Sequence, residues 1–455
     1  MGAPLNEILG NEKLGNDRLG VVRALLETAP DSAVRDLDKA LRADTSAVLA
    51  PVREMVRAEL SDRAVRDTVL APLLPLCAPR PDGFKQVLFP AGTPTRLWRA
   101  LRALEPTTVT VVASNLTMSK KDEVLPPECD ELCRSAAVAI KRADPALQGF
   151  VRFLEDYQPG AAALFAGYVE LVPVARSAVK RLPAWLRDMG EDHAAGARLL
   201  FKDAAAVAED ASPRMWEILL AHTAEPWALL RVVSAVTHHG GDSYVFASEL
   251  AECCERLMTD IERRVNMLRQ FEVGGGPEAG EAAAAAVAVA IAEIMEFEES
   301  LELNKDGPWG QRLSRLRESL SNLTEGHLKR APKIVGEALP MQQVRIGGMK
   351  LRMEARLDQP PDARLVRRAM TSLTFFERSR TAAAQAGYET IRAKVGEDIA
   401  NGLKAYVEDI LGLIHAGEVD NLDIARAFLD VAADMTALAQ DEKSAQIVRR
   451  RAAAA

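Results

Sequence analysis

The chain has 455 residues, 48% of them apolar and 27% charged; a disordered chain is excluded, and there is room for two or three domains. The net charge of −8 argues against a general nucleic-acid binder, whose footprint would be basic. Five scattered cysteines, Cys77, Cys129, Cys133, Cys253 and Cys254, are too few for a disulfide scaffold and point to a reducing compartment.

Aromatic residues are only 5% of the chain, so Leu, Val, Ile and Ala must build the core. Ala and Leu are also the strongest helix formers. Arg is preferred over Lys, which with the Ala content suggests a GC-rich bacterial genome. Residues 1–16 are polar and Gly-spaced and are expected to form a flexible tail. They carry neither the basic nor the apolar region of a signal peptide, so a cytoplasmic protein is expected.

Helical segments follow over 17–272, the expected N-terminal domain. Thr93-Pro94, Asp144-Pro145 and Ser212-Pro213 each pair a capping side chain with a proline suited to the first helical position. Residues 78–92 hold too much Pro and Gly for regular structure. Residues 107–113 have β propensity but fit a helix equally well. Cys129 and Cys133 fall on one helical face and read as small core residues. His193 follows Glu191 and Asp192 and is expected to pair with them. A long helix is predicted from near Ser243, with Leu250, Cys254, Leu257, Ile261, Val265 and Leu268 as its apolar stripe.

The segment 273–280, opening Val273-Gly-Gly-Gly-Pro277, is expected to link the domains, although a turn between two helices of one bundle fits the same residues. Beyond it, 281–451 is expected to form a C-terminal helical domain. Its longest apolar run, Ala282–Ala292, is too short to span a bilayer, which needs about 20 residues. Glu293, Glu296, Glu299 and Glu302 read as a solvated ridge. Leu313, Leu316, Leu320 and Leu323 form another stripe, and His327 continues it as a polar break or hydrogen-bonded core residue. Helical stripes also run from Tyr388 to Leu413 and from Ile424 to Leu438.

One stretch breaks the period. Within 344–357 apolar and charged residues alternate strictly from Met349 to Leu357, and Gly347-Gly348 suit a two-residue turn. A β-hairpin is predicted with Val344, Ile346, Met349, Leu351 and Met353 on its buried face. Arg345, Lys350, Arg352 and Arg356 fall on its outer face. Arg364, Arg367, Arg368, Arg378 and Arg380 extend this basic segment. Charged residues protect exposed strands from aggregation, so a solubilising edge competes with a docking patch.

Chemistry is poorly encoded. His222, His238, His239 and His415 sit where predicted helices end, where an imidazolium meets the last carbonyls. His238, His239 and Asp242 are the weak candidates for a metal site, lacking a third histidine at ligand spacing. No phosphate-binding loop, Gly-x-Ser-x-Gly elbow, paired Glu-x-x-His motif or aspartate-rich metal motif occurs. No enzyme class and no cofactor are therefore implied.

The expected fold is all-α, a multi-helix bundle or irregular helical stack with one small β-hairpin. The leading expectation for function is a non-enzymatic cytoplasmic scaffold or regulatory adaptor. Its protein partner, expected to be acidic, would meet Arg345, Lys350, Arg352, Arg356, Arg364, Arg367 and Arg368. The long amphipathic helices would also serve a homo-oligomer. Two alternatives remain: an enzyme or ligand-binding protein with a pocket between helices, and a binder of nucleic acid or anionic membrane through the basic segment.

Overall fold

Helical periodicity is obeyed almost throughout. The computed structural model describes residues 16–44, 46–81, 83–84, 86, 88–118, 125–237, 251–346 and 350–455. Of the expected tail, 1–15 lie outside these residues, as do His238, His239 and Asp242. The fold is all-α, with one two-stranded sheet among the described residues. The chain divides into two compact units, Met1–Val236 and Thr237–Ala455.

The first unit contains α1 (Asn16–Thr28), α2 (Asp31–Ala43), α3 (Ala50–Val69), α4 (Thr93–Leu104), α5 (Pro106–Met118), α6 (Pro127–Lys141), α7 (Gln148–Tyr157), α8 (Ala161–Arg187), α9 (Glu191–Val207), α10 (Ala211–His222) and α11 (Leu230–Thr237, whose last residue belongs to the second unit). Residues 107–113 are thus helical, within α5. Helix α8 is packed by α6, α7, α9 and α10. It is the one helix among the described residues long and apolar enough to cross a membrane by length and composition, and 56% of that window is buried inside the protein. Near its middle the half-buried Arg176 pairs with Asp130 and donates to the Val69 carbonyl at 2.9 Å, the partners a core helix gives a cation drawn out of water.

Only one of the three expected proline starts is capped as read. Asp144 accepts a hydrogen bond from the Ala146 N–H ahead of Pro145. The cap of α4 is Gly92, with Thr93 inside the helix, and that of α10 is Asp210, with Ser212 inside. Proline tolerates the second helical position, taken by Pro94, and the third, taken by Pro213, as well as the first, since none of these N–H groups has an intrahelical acceptor, so the dipeptide leaves the start uncertain by one residue or more. The described residues of 78–92 are irregular and still contribute to the core. Phe89 meets Phe165 edge-on at 4.9 Å between ring centres.

The second unit contains α12 (Ala251–Arg269), α13 (Pro277–Ser300), α14 (Pro308–Ala338), β1 (Met341–Ile346), β2 (Lys350–Ala355), α15 (Ala363–Arg378), α16 (Arg380–Ala386), α17 (Glu389–Ala416), α18 (Leu422–Ala439) and α19 (Glu442–Ala454). The expected boundary at 273–280 lies inside this unit, where it joins α12 to α13, which pack together. Cys254, Leu257, Ile261, Val265 and Leu268 are all buried, as their spacing requires. Helices α13 and α15 approach so closely at Gly280 that a Cβ there would stand 2.4 Å from the Thr371 carbonyl oxygen.

Candidate interaction surface

The hairpin is present, but its register reverses the expected faces. Strands β1 and β2 are antiparallel, with Ile346 opposite Lys350, Val344 opposite Arg352, Gln343 opposite Met353 and Arg345 opposite Leu351. That pairing leaves three residues, 347–349, in the connection, where Gly347-Gly348 suggested two. One residue of register exchanges every side chain between faces. Val344 is half-buried on one face, whereas Leu351 and Met353 lie on the other and are 62% and 50% exposed. Arg345 shares their face, and Arg352 lies opposite, so the basic residues do not form a single outer row. The turn glycines, Met349, and the side chains of Ile346 and Lys350 lie outside the described residues.

The ladder also fixes where the backbone groups point. The Arg356 N–H donates to the Pro340 carbonyl at 3.0 Å. Hydrogen-bonded pairs alternate along an antiparallel ladder, so 342–354, 344–352 and 346–350 bond internally. Met341, Gln343 and Arg345 then turn their N–H and C=O groups outward on the β1 edge; Leu351, Met353 and Ala355 do so on the β2 edge. Asp409 of α17 verifies the pattern, because its Oδ2 accepts the Ala355 N–H at 2.6 Å. Its Oδ1 receives the Arg352 guanidinium at 3.0 Å. One carboxylate thus ties the ribbon to a helix at its base. On the β1 edge no backbone partner is found among the described residues.

Most of the basic segment is occupied within the fold. Arg356 pairs with Asp358 at 2.8 Å, Arg368 with Glu337 at 3.3 Å, Arg378 with Glu281 at 3.2 Å and Arg380 with Glu377 at 2.9 Å. Arg367 donates to the Gly275 carbonyl at 3.1 Å. Arg345 and Arg364 are exposed and make no ion pair among the described residues.

The described histidines and cysteines are structural in their contacts. His327 packs at a steep angle against Phe271 and edge-on to Phe375, at 5.1 and 5.8 Å between ring centres, and burial lowers its pKa, favouring the neutral ring. His222 meets the Pro72 carbonyl and His415 the Leu411 carbonyl. His193 contacts the Asp188 carbonyl at 2.6 Å instead of pairing with Glu191 and Asp192; Glu191 is taken by Arg198. All five thiols are buried, and burial pushes Cys77 and Cys133 up to about 12 and Cys129 up to about 11. Among the described residues no group of three or more His, Cys, Asp or Glu could hold a metal ion.

The glutamate ridge is a correction. Glu299 and Glu302 are exposed, but Glu293 and Glu296 are buried. Asp260 of α12 binds Arg263 at 2.6 Å and Arg264 at 2.8 Å, and the Arg264 Nε stands 3.5 Å from Glu293. Glu293 is fully buried, and neither carboxyl oxygen has a hydrogen bond of good geometry. Burial and the neighbouring Asp260 push its pKa up to about 9, so it keeps its proton at neutral pH. A cavity of about 320 Å³ on another face of α13 is lined by Ile291, Ile294, Leu320, Ser321, Asn322 and Tyr388, among others.

Sequence reading missed Asp409 and Glu293. Asp409 is one of several carboxylates on an amphipathic helix, directly after Glu408, and its partners lie 54 and 57 residues away; nothing local marks it. Exposure of Leu351 and Met353 required a register that composition does not state. No family model, curated protein or solved structure matches this chain.

Proposed function

We propose that this protein is a helical scaffold or adaptor that engages a protein partner through the hairpin of its second unit. The observation that carries the reading is the exposure of Leu351 and Met353 on a ribbon held at its base by Asp409. Covering a side chain of this size is worth roughly 1.5–3 kcal/mol, and aliphatic and thioether groups beside an arginine suit a protein contact. Arg345 alone on this face would serve as an edge guard; two large apolar neighbours do the opposite. Five cysteines scattered through a long chain suit a reducing cytoplasm. The internal ion pairs of the basic segment and the net charge of −8 argue against nucleic acid or anionic membrane as the target.

The test compares affinity-purified wild-type protein with the double variant Leu351→Asp, Met353→Asp by mass spectrometry. Helix content should be unchanged, and a partner recovered by the wild type should be lost. Arg356→Glu, which disturbs only the pair with Asp358, should leave recovery intact. An identical set of proteins from wild type and double variant would sink the reading.

A second reading, a small-molecule binder, is favoured by the 320 Å³ cavity, which falls in the range of ligand pockets. Ile294→Trp would fill it. Binding of neutral aromatic fragments, followed by ligand-observed magnetic resonance, should disappear in that variant; fragments that never bind would remove this reading.

A further inference from the structure

Strand edges are usually covered, charged or bent away, because their open backbone groups recruit another strand. In this hairpin the two edges are treated differently. The β2 edge lies beside α17, and Asp409 takes the outward N–H of Ala355. The β1 edge offers the outward groups of Met341, Gln343 and Arg345 with no partner among the described residues. The side chains of these three residues share one face with Leu351 and Met353, so the edge with unused hydrogen-bonding groups borders the face that exposes the apolar side chains. Arg345, the cation on that face, is unpaired among the described residues, whereas Arg352 on the other face is neutralised by Asp409.

From this we infer that the hairpin binds an extended, acidic segment of a partner protein, which adds to β1 as a third strand. The inference rests on the hairpin docking proposed above and names its mode. Outward N–H and C=O groups of Met341, Gln343 and Arg345 pair with the incoming backbone, which supplies affinity independent of sequence. A carboxylate of the segment meets the Arg345 guanidinium and its other side chains on that face lie beside Met341 and Gln343, while the body of the partner covers Leu351 and Met353 one strand further in. A second copy of this chain would bring a second Arg345 and no carboxylate from the equivalent strand, so charge selects the acidic partner.

The geometry supplies its own control. The hairpin's internal ladder does not use the Gln343 N–H, so proline at 343 removes an outward donor and leaves internal hydrogen bonds in place. The probe is a fluorescent octapeptide alternating glutamate and valine, titrated against the full-length chain by anisotropy. Gln343→Pro should weaken it about tenfold or more, while Gln343→Ala should leave it unchanged. A lysine–valine analogue should bind about tenfold more weakly than the glutamate peptide to wild type, and Arg345→Glu should invert that order.

Equal affinity for wild type and Gln343→Pro would overturn strand addition, as would failure of the glutamate peptide to bind at millimolar concentration. Sedimentation showing a dimer that Gln343→Pro dissociates would assign the edge to a second copy and overturn the inference. The cellular partner separates the two proposals. If its recovery needs Leu351 and Met353 but tolerates Gln343→Pro, docking stands and the strand-addition mode falls.

Discussion

Glu293 shows how one residue can be misread from its neighbours. A step of three along a helix falls about 60° short of a full turn, so from Glu293 to Glu299 the side chains swing round by about 120°, and Glu302 lies past the end of α13 at Ser300. One end of the apparent ridge is therefore buried and the other exposed. The buried end makes stability depend on pH. Folding raises the pKa of Glu293 from 4.5 to about 9, so its contribution is full below about 4.5 and declines as pH climbs toward about 9. Glu293→Gln retains the shape but cannot ionise. Its denaturant midpoint should fall less between pH 5 and pH 9, and at pH 8 it should be more stable than wild type by about 1–3 kcal/mol. A variant with the wild-type slope would show that the carboxyl does not titrate. His327 was more legible: a polar residue interrupting a leucine stripe was expected to break the seam or to be hydrogen-bonded in the core, and it sits half-buried against two phenylalanines.

At the scale of elements, periodicity was readable and junctions were not. The stripes of α12 and α17 are buried because a repeat near 3.6 survives any error in where a helix begins. The hairpin's alternation located two strands for the same reason. Its faces could not be read, because they depend on whether the connection holds two residues or three, and Gly347-Gly348 fit both. Close approaches between helices leave an equally faint trace. Gly280 is one small residue in an Ala-rich segment, yet its missing Cβ admits the backbone of α15. Gly280→Ala should therefore destabilise the protein by about 1–3 kcal/mol, although alanine is the better helix former, because a carbonyl at 2.4 Å cannot be met without a backbone shift. Thermal unfolding would show it; a raised melting temperature would mean that α13 and α15 move apart at little cost.

For the molecule as a whole, composition located a break in the chain but not its rank. Val273-Gly-Gly-Gly-Pro277 joins two helices of one core, and Gly276, with φ of 96°, takes a conformation that glycine provides. The division between units falls instead at 236/237. A glycine-rich stretch has the same composition whether it separates domains or turns a helix pair; packing decides. Asp409 and the strand pairing that position the hairpin lie in the second unit. Thr237–Ala455 expressed alone should therefore stay helical by circular dichroism and recover the same partner as the full chain. Loss of recovery by a folded fragment would place part of the contact in the first unit. The burial of all five thiols has a practical corollary. Native protein should resist maleimide coupling, so one cysteine introduced at Gln343 or Leu351 would become the favoured attachment point. A photo-crosslinker placed there would capture whatever sits against the ribbon and leave a mass tag on its sequence.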